Sequence, residues 1–303
     1  MEKMRIISNA LSGKQARKKI SIHTFVPYLC ILPVLLLFCV FLFYPFGQTA
    51  LLSLTKTDAS GRFMEFVGFD NYEYLFTSAD FWKTIAISFE YMLIVVVFSI
   101  LLGFITAVVS NEKIPGKGVF RVIFSFPMAI SAAVACTIFG FMLHPSLGSL
   151  NYLLGTNIGW LNTSKWSLFS VSIVTIWTYT GMNFIFITAG LQSVPAELYE
   201  SANLDGANFF RKHWHITIPS ISPTLFFLMI INVINAFQNF AVVRIMTKGG
   251  PSGSTKILIY SIYENAFSYG NYARAFAMSV VLFVILSIFT ILEFSSEKRV
   301  TYE

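Results

Sequence analysis

Long, unbroken apolar blocks alternate with short polar segments along this chain. The blocks fall at about 25–52, 84–110, 120–143, 167–192, 221–246 and 273–295. A helix needs roughly 20 mostly apolar residues to cross about 30 Å of hydrocarbon, so each block predicts one membrane-spanning helix. Strands of a membrane barrel would be shorter and would alternate, so the pattern predicts an all-α, polytopic bundle of six transmembrane helices. The polar segments are too short for a soluble domain. Residues 53–83 carry Asp58, Glu65, Asp70, Glu73 and Asp80, and predict a short helix near the membrane surface. Residues 111–119 are rich in helix breakers, 144–166 contain Pro145 and several glycines, and 193–220 and 247–272 form the remaining connections.

Composition supports this reading: 55% of residues are hydrophobic and 12% charged, against about 25% charged in soluble domains. The first block follows the basic run Lys14-Gln15-Ala16-Arg17-Lys18-Lys19 as a signal peptide would. It is too long for one, contains Pro27, Pro33 and Pro45, and lacks a small-x-small cleavage site, so it is read as a retained span kinked by its prolines. Charge sets the orientation. With the N-terminus inside, Lys3, Arg5, Lys14, Arg17, Lys18, Lys19, Lys113, Lys117, Arg121, Arg211, Lys212, Lys298 and Arg299 are cytoplasmic, which is 13 of the 21 basic residues. The expected organisation is a basic cytoplasmic segment over 1–24, a membrane domain over 25–295 and a cytoplasmic tail over 296–303. Both termini and the 193–220 loop then lie in the cytoplasm of a multi-pass cell-membrane protein. The net charge of +6 reports topology and not nucleic-acid binding.

Several chemistries find no support in the residues. Cys30, Cys39 and Cys136 all fall within blocks, at spacings that match no disulfide framework or zinc site. His213 and His215 are two residues apart, which puts them on different helix faces, and His144-Pro145 has no ligand cluster beside it, so no metal is expected. The phosphate loop Gly-x-x-x-x-Gly-Lys-Ser/Thr is absent, so the chain is not expected to be an ATPase. The centres of the blocks hold no Asp or Glu; Glu90 lies near the outer end of the second and Glu293 near the inner end of the sixth. Ion-coupled carriers use such intramembrane acids, so a self-sufficient secondary carrier is the weaker reading.

The 193–220 loop carries the most specific signal. Ser193-Val194-Pro195-Ala196-Glu197 reads as a helix start, with a capping hydroxyl, a proline in the first turn and an acid at the positive helix end. Small Ser201 and Ala202, with Gly206 beyond them, would let a partner approach the backbone, while Leu198, Tyr199 and Leu204 could transmit a push. Glu200-Ser201-Ala202, three residues to Gly206, then nine more to Ile216-Thr217-Ile218-Pro219, resembles the coupling loop of binding-protein-dependent ABC importer permeases. The resemblance implies that Glu200, Ser201, Ala202, Leu204, Asp205, Gly206, Ile216 and Pro219 belong to a surface that docks on an ATPase.

Two further stretches narrow the resemblance to the maltose, multiple-sugar and glycerol-3-phosphate branch of that family. They are Phe237-Gln238-Asn239-Phe240 followed by Met246-Thr247-Lys248-Gly249-Gly250-Pro251 and Thr255, and Phe69-Asp70-Asn71-Tyr72 after Val67-Gly68. The resemblance implies a type I importer permease with a second homologous permease, an ATPase dimer and an extracytoplasmic solute-binding protein as partners. It implies alternating access for a sugar or oligosaccharide, or for glycerol-3-phosphate or another acidic polyol. ATP and Mg would then sit on the ATPase and no cofactor on this chain. Gln238 and Asn239 fall where maltose-type permeases place sugar-contacting amides. Asn235 lies four residues before Asn239 and shares its helix face, and Asn183 lies in the polar-aromatic stretch Trp177, Tyr179, Gly181 and Asn183 of the fourth block. Trp177 and Tyr179 are read as packing residues, and Arg244 as snorkelling or meeting an anion at the cavity mouth.

Overall fold

The computed structural model describes residues 22–112 and 115–297. Lys3, Arg5, Lys14, Arg17, Lys18, Lys19, Lys113, Lys298 and Arg299, on which much of the orientation argument rests, lie outside the described residues. The chain forms two units, Met1–Gln48 and Thr49–Glu303. The first begins with helix α1 (Ile22–Phe38), which passes through a π-helical turn (Cys39–Phe43) into α2 (Tyr44–Leu52). The wide turn sits directly ahead of Pro45, whose ring has no N–H for the helical ladder, and Tyr28–Leu52 runs on as one helical span and not the kinked one expected.

The second unit starts within α2 and continues into a feature the apolar pattern did not predict. Strands β1 (Thr55–Thr57) and β2 (Phe63–Phe66) pair antiparallel, and helix α3 (Asp70–Thr77) follows. Asn71 locks the hairpin to the preceding chain, its amide donating to the carbonyls of Ser53 and Thr55 at 2.9 Å each. That bond gives the Phe69-Asp70-Asn71-Tyr72 motif a structural reason.

Helix α4 (Ala79–Asn111) starts at Ser78, whose hydroxyl accepts from the Phe81 amide. It packs along α8 (Ser164–Ser193) in the most extensive helix contact of the unit. Two glycines set the spacing around α8. A Cβ on Gly103 would lie 2.6 Å from Asn183 Cβ, and one on Gly181 would lie 2.8 Å from the Met128 backbone nitrogen. The apolar core gathers Val95, Val171, Val174, Phe237, Val243 and Leu258 between these helices.

Between them, the third predicted span is two helices. Helix α5 (Lys117–Ala129) and α6 (Ala132–Met142) meet at 104°. Pro127 lies in the last turn of the first, whose C-cap Ile130 donates its amide to the Pro127 carbonyl, and the Ser131 hydroxyl accepts from the Val134 amide to start the second. Short α7 (Ser149–Leu154) follows, its Asn151 amide bonded to the carbonyls of Pro145 and Ile158 and its oxygen accepting from Trp160 Nε1.

Past α8 come α9 (Ala196–Leu204), α10 (Phe209–Lys212), a π-helical turn (His213–Thr217) and α11 (Ile218–Ser220). Helix α12 (Ser222–Phe237) leaves the segment Phe209–Ser220 at a 72° bend. The predicted fifth span then breaks at Gln238-Asn239, and α13 (Phe240–Met246) carries the chain on. Helix α14 (Leu258–Tyr263), a π-helical turn (Glu264–Ser268) and α15 (Tyr272–Glu297) complete the unit. Among the described residues, four helices are long and apolar enough to cross a membrane, or up to six if each bent pair is one span.

Candidate coupling loop and solute pathway

Helix α9 begins differently from the sequence expectation. Pro195 is its N-cap residue, and the Ser193 hydroxyl donates back to the Gly190 carbonyl instead of capping. Glu197 does occupy the first turn. At the other end, Gly206 adopts φ +72°. Its amide donates to the Asn203 carbonyl and that of Ala207 to the Ala202 carbonyl, the paired bonds of a Schellman cap, which favours glycine at this position. Gly206 therefore ends the helix as well as keeping the surface open; a Cβ there would meet nothing within 4 Å.

The loop residues divide by exposure. Glu200, Ser201, Leu204, Asp205, Gly206 and Pro219 are exposed, Ile216 is half-buried against a core of Ala107, Val108, Phe184 and Leu228, and Ala202 is buried. Ala202 thus faces the chain itself and not an incoming partner. Three apolar side chains dominate the open surface: Leu204, Phe210 and Trp214 are 90%, 81% and 70% exposed. Leu204 was expected in the docking surface from the sequence, whereas Phe210 and Trp214 were missed, although two aromatic side chains in so polar a loop were a signal. Beneath them Thr217 is fully buried; its hydroxyl meets Tyr199 Oη at 2.9 Å and His213 Nδ1 at 2.8 Å. Desolvation holds the His213 imidazole below its ordinary value; Glu112 pulls it upward and Lys212 adds to the lowering.

The break at Gln238-Asn239 is built from polar contacts. In an unbroken helix the Asn239 amide would donate to the Asn235 carbonyl. Here it donates to Ala236 at 3.3 Å, and the freed Asn235 carbonyl accepts from Tyr179 Oη at 3.1 Å. Asn239 Nδ2 donates to Tyr91 Oη and Thr175 Oγ1 at 2.9 Å each, and these two hydroxyls are 2.7 Å apart. Asn235 and Asn239 therefore do not share a helix face, because the helix ends between them. Gln238 is exposed instead, on the wall of a pocket of about 520 Å³ lined also by Phe240, Ile262, Tyr263, Phe267 and Leu282. Arg244 lies over the Tyr263 ring at 5.1 Å and donates to its hydroxyl at 3.4 Å. Trp177 packs on Phe139, ring to ring at 5.4 Å.

Asn183 lies elsewhere, fully buried among α4, α8 and α12. Its Oδ1 accepts from Asn232 Nδ2 at 2.8 Å, and Asn232 Oδ1 in turn faces the Ser99 hydroxyl at 3.5 Å. The structure does not bring Asn183 to the Gln238 pocket. Asn232, its partner, was the residue sequence reasoning missed.

The 247–256 loop is tied down at several points. Ser167 and Ser254 hydroxyls are 2.7 Å apart, Thr255 Oγ1 donates to the Gly250 carbonyl at 2.9 Å, and Lys83 donates to the Ser252 carbonyl at 3.1 Å. Lys256 pairs with Glu264 at 2.8 Å and Asp80 at 3.2 Å. Burial would lower the Lys256 ammonium, but Glu264 and then Asp80 more than offset it and hold it above its ordinary value. His144 Nδ1 accepts from the Ser146 and Leu147 amides.

A polytopic helical bundle with two bent spans, a polar helical loop at one end and an amide-bearing helix break beside an aromatic pocket has the build of a transport permease. The chain belongs to the family described as "binding-protein-dependent transport system inner membrane component", whose model matches residues 99–302. It is thus a multi-pass inner-membrane component of such a system. It is similar to the sn-glycerol-3-phosphate transport system permease protein UgpA of Agrobacterium fabrum, with 33% identity over 282 residues, 91% of this chain and 96% of that protein. The protein of the same description from Escherichia coli O157:H7 is 32% identical over 287 residues, 92% of this chain and 96% of that protein. Among solved structures, a chain of a bacterial ABC transporter involved in import of the acidic polysaccharide alginate matches with TM-score 0.81 and 22% identity, over 92% of this chain and 97% of that one. A more distant match, to an amino acid ABC transporter, has TM-score 0.52 and 16% identity.

Proposed function

We propose that this chain is one membrane-spanning half of an ATP-driven importer that moves a sugar or oligosaccharide into the cytoplasm. The observation that carries the substrate class is the Gln238 amide on a pocket walled by Phe240, Tyr263 and Phe267. Flat aromatic faces with a few fixed hydrogen-bonding groups suit a polyhydroxylated solute. Both termini and the α9–α11 loop lie in the cytoplasm in this reading, with the 247–256 loop outside. Exposed Leu204, Phe210 and Trp214 then form an apolar docking face for an ATPase that supplies ATP and Mg, with Glu200, Asp205 and Gly206 beside it. A second permease completes the pathway and an extracytoplasmic binding protein delivers the solute; the related alginate transporter has been solved with an alginate-bound periplasmic protein.

A second reading is favoured by the names of the relatives: the solute is glycerol-3-phosphate or another acidic polyol. Arg244, held against the pocket residue Tyr263, supplies a cation for it. The test is ATPase stimulation of the assembled importer by its binding protein loaded with neutral oligosaccharide or with sn-glycerol 3-phosphate. Stimulation by the neutral sugar, unchanged in Arg244→Gln, supports the first reading. Stimulation by the phosphate ester alone, lost in Arg244→Gln, selects the second, and stimulation by neither sinks both.

A further inference from the structure

A second pocket, distant in sequence from Gln238, opens between α5 and α8. It measures about 330 Å³ and is lined by Arg121, Ser125, Phe184, Ile185, Thr188, Ala189 and Gln192. The close approach of Gly181 to Met128 fixes the register of these antiparallel helices. Seven residues from that contact on each helix, roughly 10 Å along the axis, lie Thr188 and Arg121. Gln192 is one turn nearer the α9 loop, and Phe184 and Ile185 one turn nearer the bundle centre. The pocket is therefore polar at its loop end and apolar toward the middle.

Two of its polar groups have no partner. Arg121 Nε and Thr188 Oγ1 are buried without a hydrogen bond, and Thr188 is only 7% exposed. Thr188 is unusual on its own helix, since Ser172, Thr175, Thr178 and Thr180 all donate to the carbonyl four residues back. Arg121 makes no ion pair among the described residues. No carboxylate lines the pocket, so the guanidinium charge is uncompensated there. A half-buried cation with a shielded, unpartnered Nε and an unused hydroxyl on the same pocket define the complement of an anion with several acceptor oxygens. The planar guanidinium fork matches phosphate oxygens two at a time, and the Phe184 and Ile185 wall accepts a hydrocarbon chain.

We propose that this pocket binds a phosphate-ester anion, held by Arg121 and Thr188 with Gln192 beside them. The inference rests on the orientation proposed above only in placing the site at the cytoplasmic membrane surface. Two sources carry that chemistry: the headgroup of an inner-leaflet phospholipid and a soluble glycerol phosphate. The apolar wall favours the lipid.

The test uses the assembled importer in nanodiscs of mixed phosphatidylglycerol and phosphatidylcholine, released into detergent for native mass spectrometry. Wild type should retain phosphatidylglycerol, and Arg121→Gln should reduce retention by about tenfold, with a smaller loss in Thr188→Val. Release of the lipid by added sn-glycerol 3-phosphate would show that the site takes soluble phosphate esters also; no release would assign it to lipid. Equal retention in wild type and Arg121→Gln would overturn the proposal. So would loss of the second permease from Arg121→Gln with wild-type retention in Thr188→Val, since Arg121 would then be a subunit contact. Retention is read without transport, so a wrong solute assignment leaves this result standing.

Discussion

Replacing Asn239 with alanine separates a structural role from a solute contact. The substitution removes two hydrogen bonds, to Tyr91 and Thr175, both 2.9 Å long. Interhelical bonds of this kind in a membrane are worth on average about 0.6 kcal/mol, with a maximum near 1.7, so two predict a loss of about 1 kcal/mol and at most about 3. The remaining Tyr91 and Thr175 hydroxyls still pair with each other at 2.7 Å, so no orphaned polar group adds to the loss. Reversible unfolding in mixed micelles measures it, and a cycle with Tyr91→Phe should return a coupling of about 0.6 kcal/mol. Solute affinity of the assembled importer should stay unchanged in Asn239→Ala. Gln238→Ala, whose side chain faces the pocket, should do the opposite: stability within about 0.5 kcal/mol and affinity weaker by about tenfold. The reasoning fails if Asn239→Ala weakens solute binding tenfold at wild-type stability.

Other perturbations probe the loop, the packing and the charges. Gly206→Asn should keep the left-handed cap, whereas Gly206→Val should strain it by about 1–2 kcal/mol; both should insert normally, and ATPase coupling should fall far more in the valine variant. Gly103→Ala should destabilise the bundle by about 1–3 kcal/mol, and Asn183→Ala should not rescue it, because the colliding atom is the Cβ that alanine retains. His213 has a depressed pKa, so the unfolded loop binds more protons below its ordinary 6.5 and the loop loses stability as pH falls through the depressed value. Protection factors over Phe209–Thr217, taken relative to the intrinsic exchange rate at each pH, should therefore fall on acidification, and His213→Gln should flatten the response. Lys256 has a raised pKa, so its contribution is whole below 10.5 and is lost only as pH rises through the raised value. Protection of the 247–256 loop should thus be flat across neutral pH, and Lys256→Met should lower it throughout that range.

Spans were legible in the sequence because burial in lipid demands apolar length, and every block found its helices. Their interruptions were not, because hydropathy averages over them. Pro127-Met128-Ala129-Ile130-Ser131 is apolar enough to continue a span, yet the chain turns by 104° there through a proline and one capping hydroxyl. Periodicity likewise placed Asn235 and Asn239 on one face, which holds only while the helix is continuous. The 193–220 loop was visible as a spaced motif, but which side of α9 faces outward was not. Ala202 turned inward because the helix packs with Tyr199 and Ile216 against the bundle, leaving Leu204 outside. The 55–66 hairpin escaped because its strands are three and four residues long, too short for a period to register.

The break at Gln238-Asn239 also explains how a pathway can be polar without charge at its centre. Backbone that leaves the helix inside a membrane must have its groups satisfied by protein or by a lined cavity. Here the freed Asn235 carbonyl takes the Tyr179 hydroxyl, and the Asn239 side chain is held by Tyr91 and Thr175 from two other helices. These ties hold the Asn239 side chain against α4 and α8 and fix the backbone from which Gln238 projects. A permease that relies on an outside ATPase needs no intramembrane carboxylate to couple its cycle, so its polar contacts can be neutral amides. Neutral amides bind polyols weakly and reversibly, which suits a site that must release its cargo each time the bundle opens. If so, adding an acid at the pocket, as in Gln238→Glu, should not raise transport, and uptake of an anionic solute should fall by more than that of a neutral one.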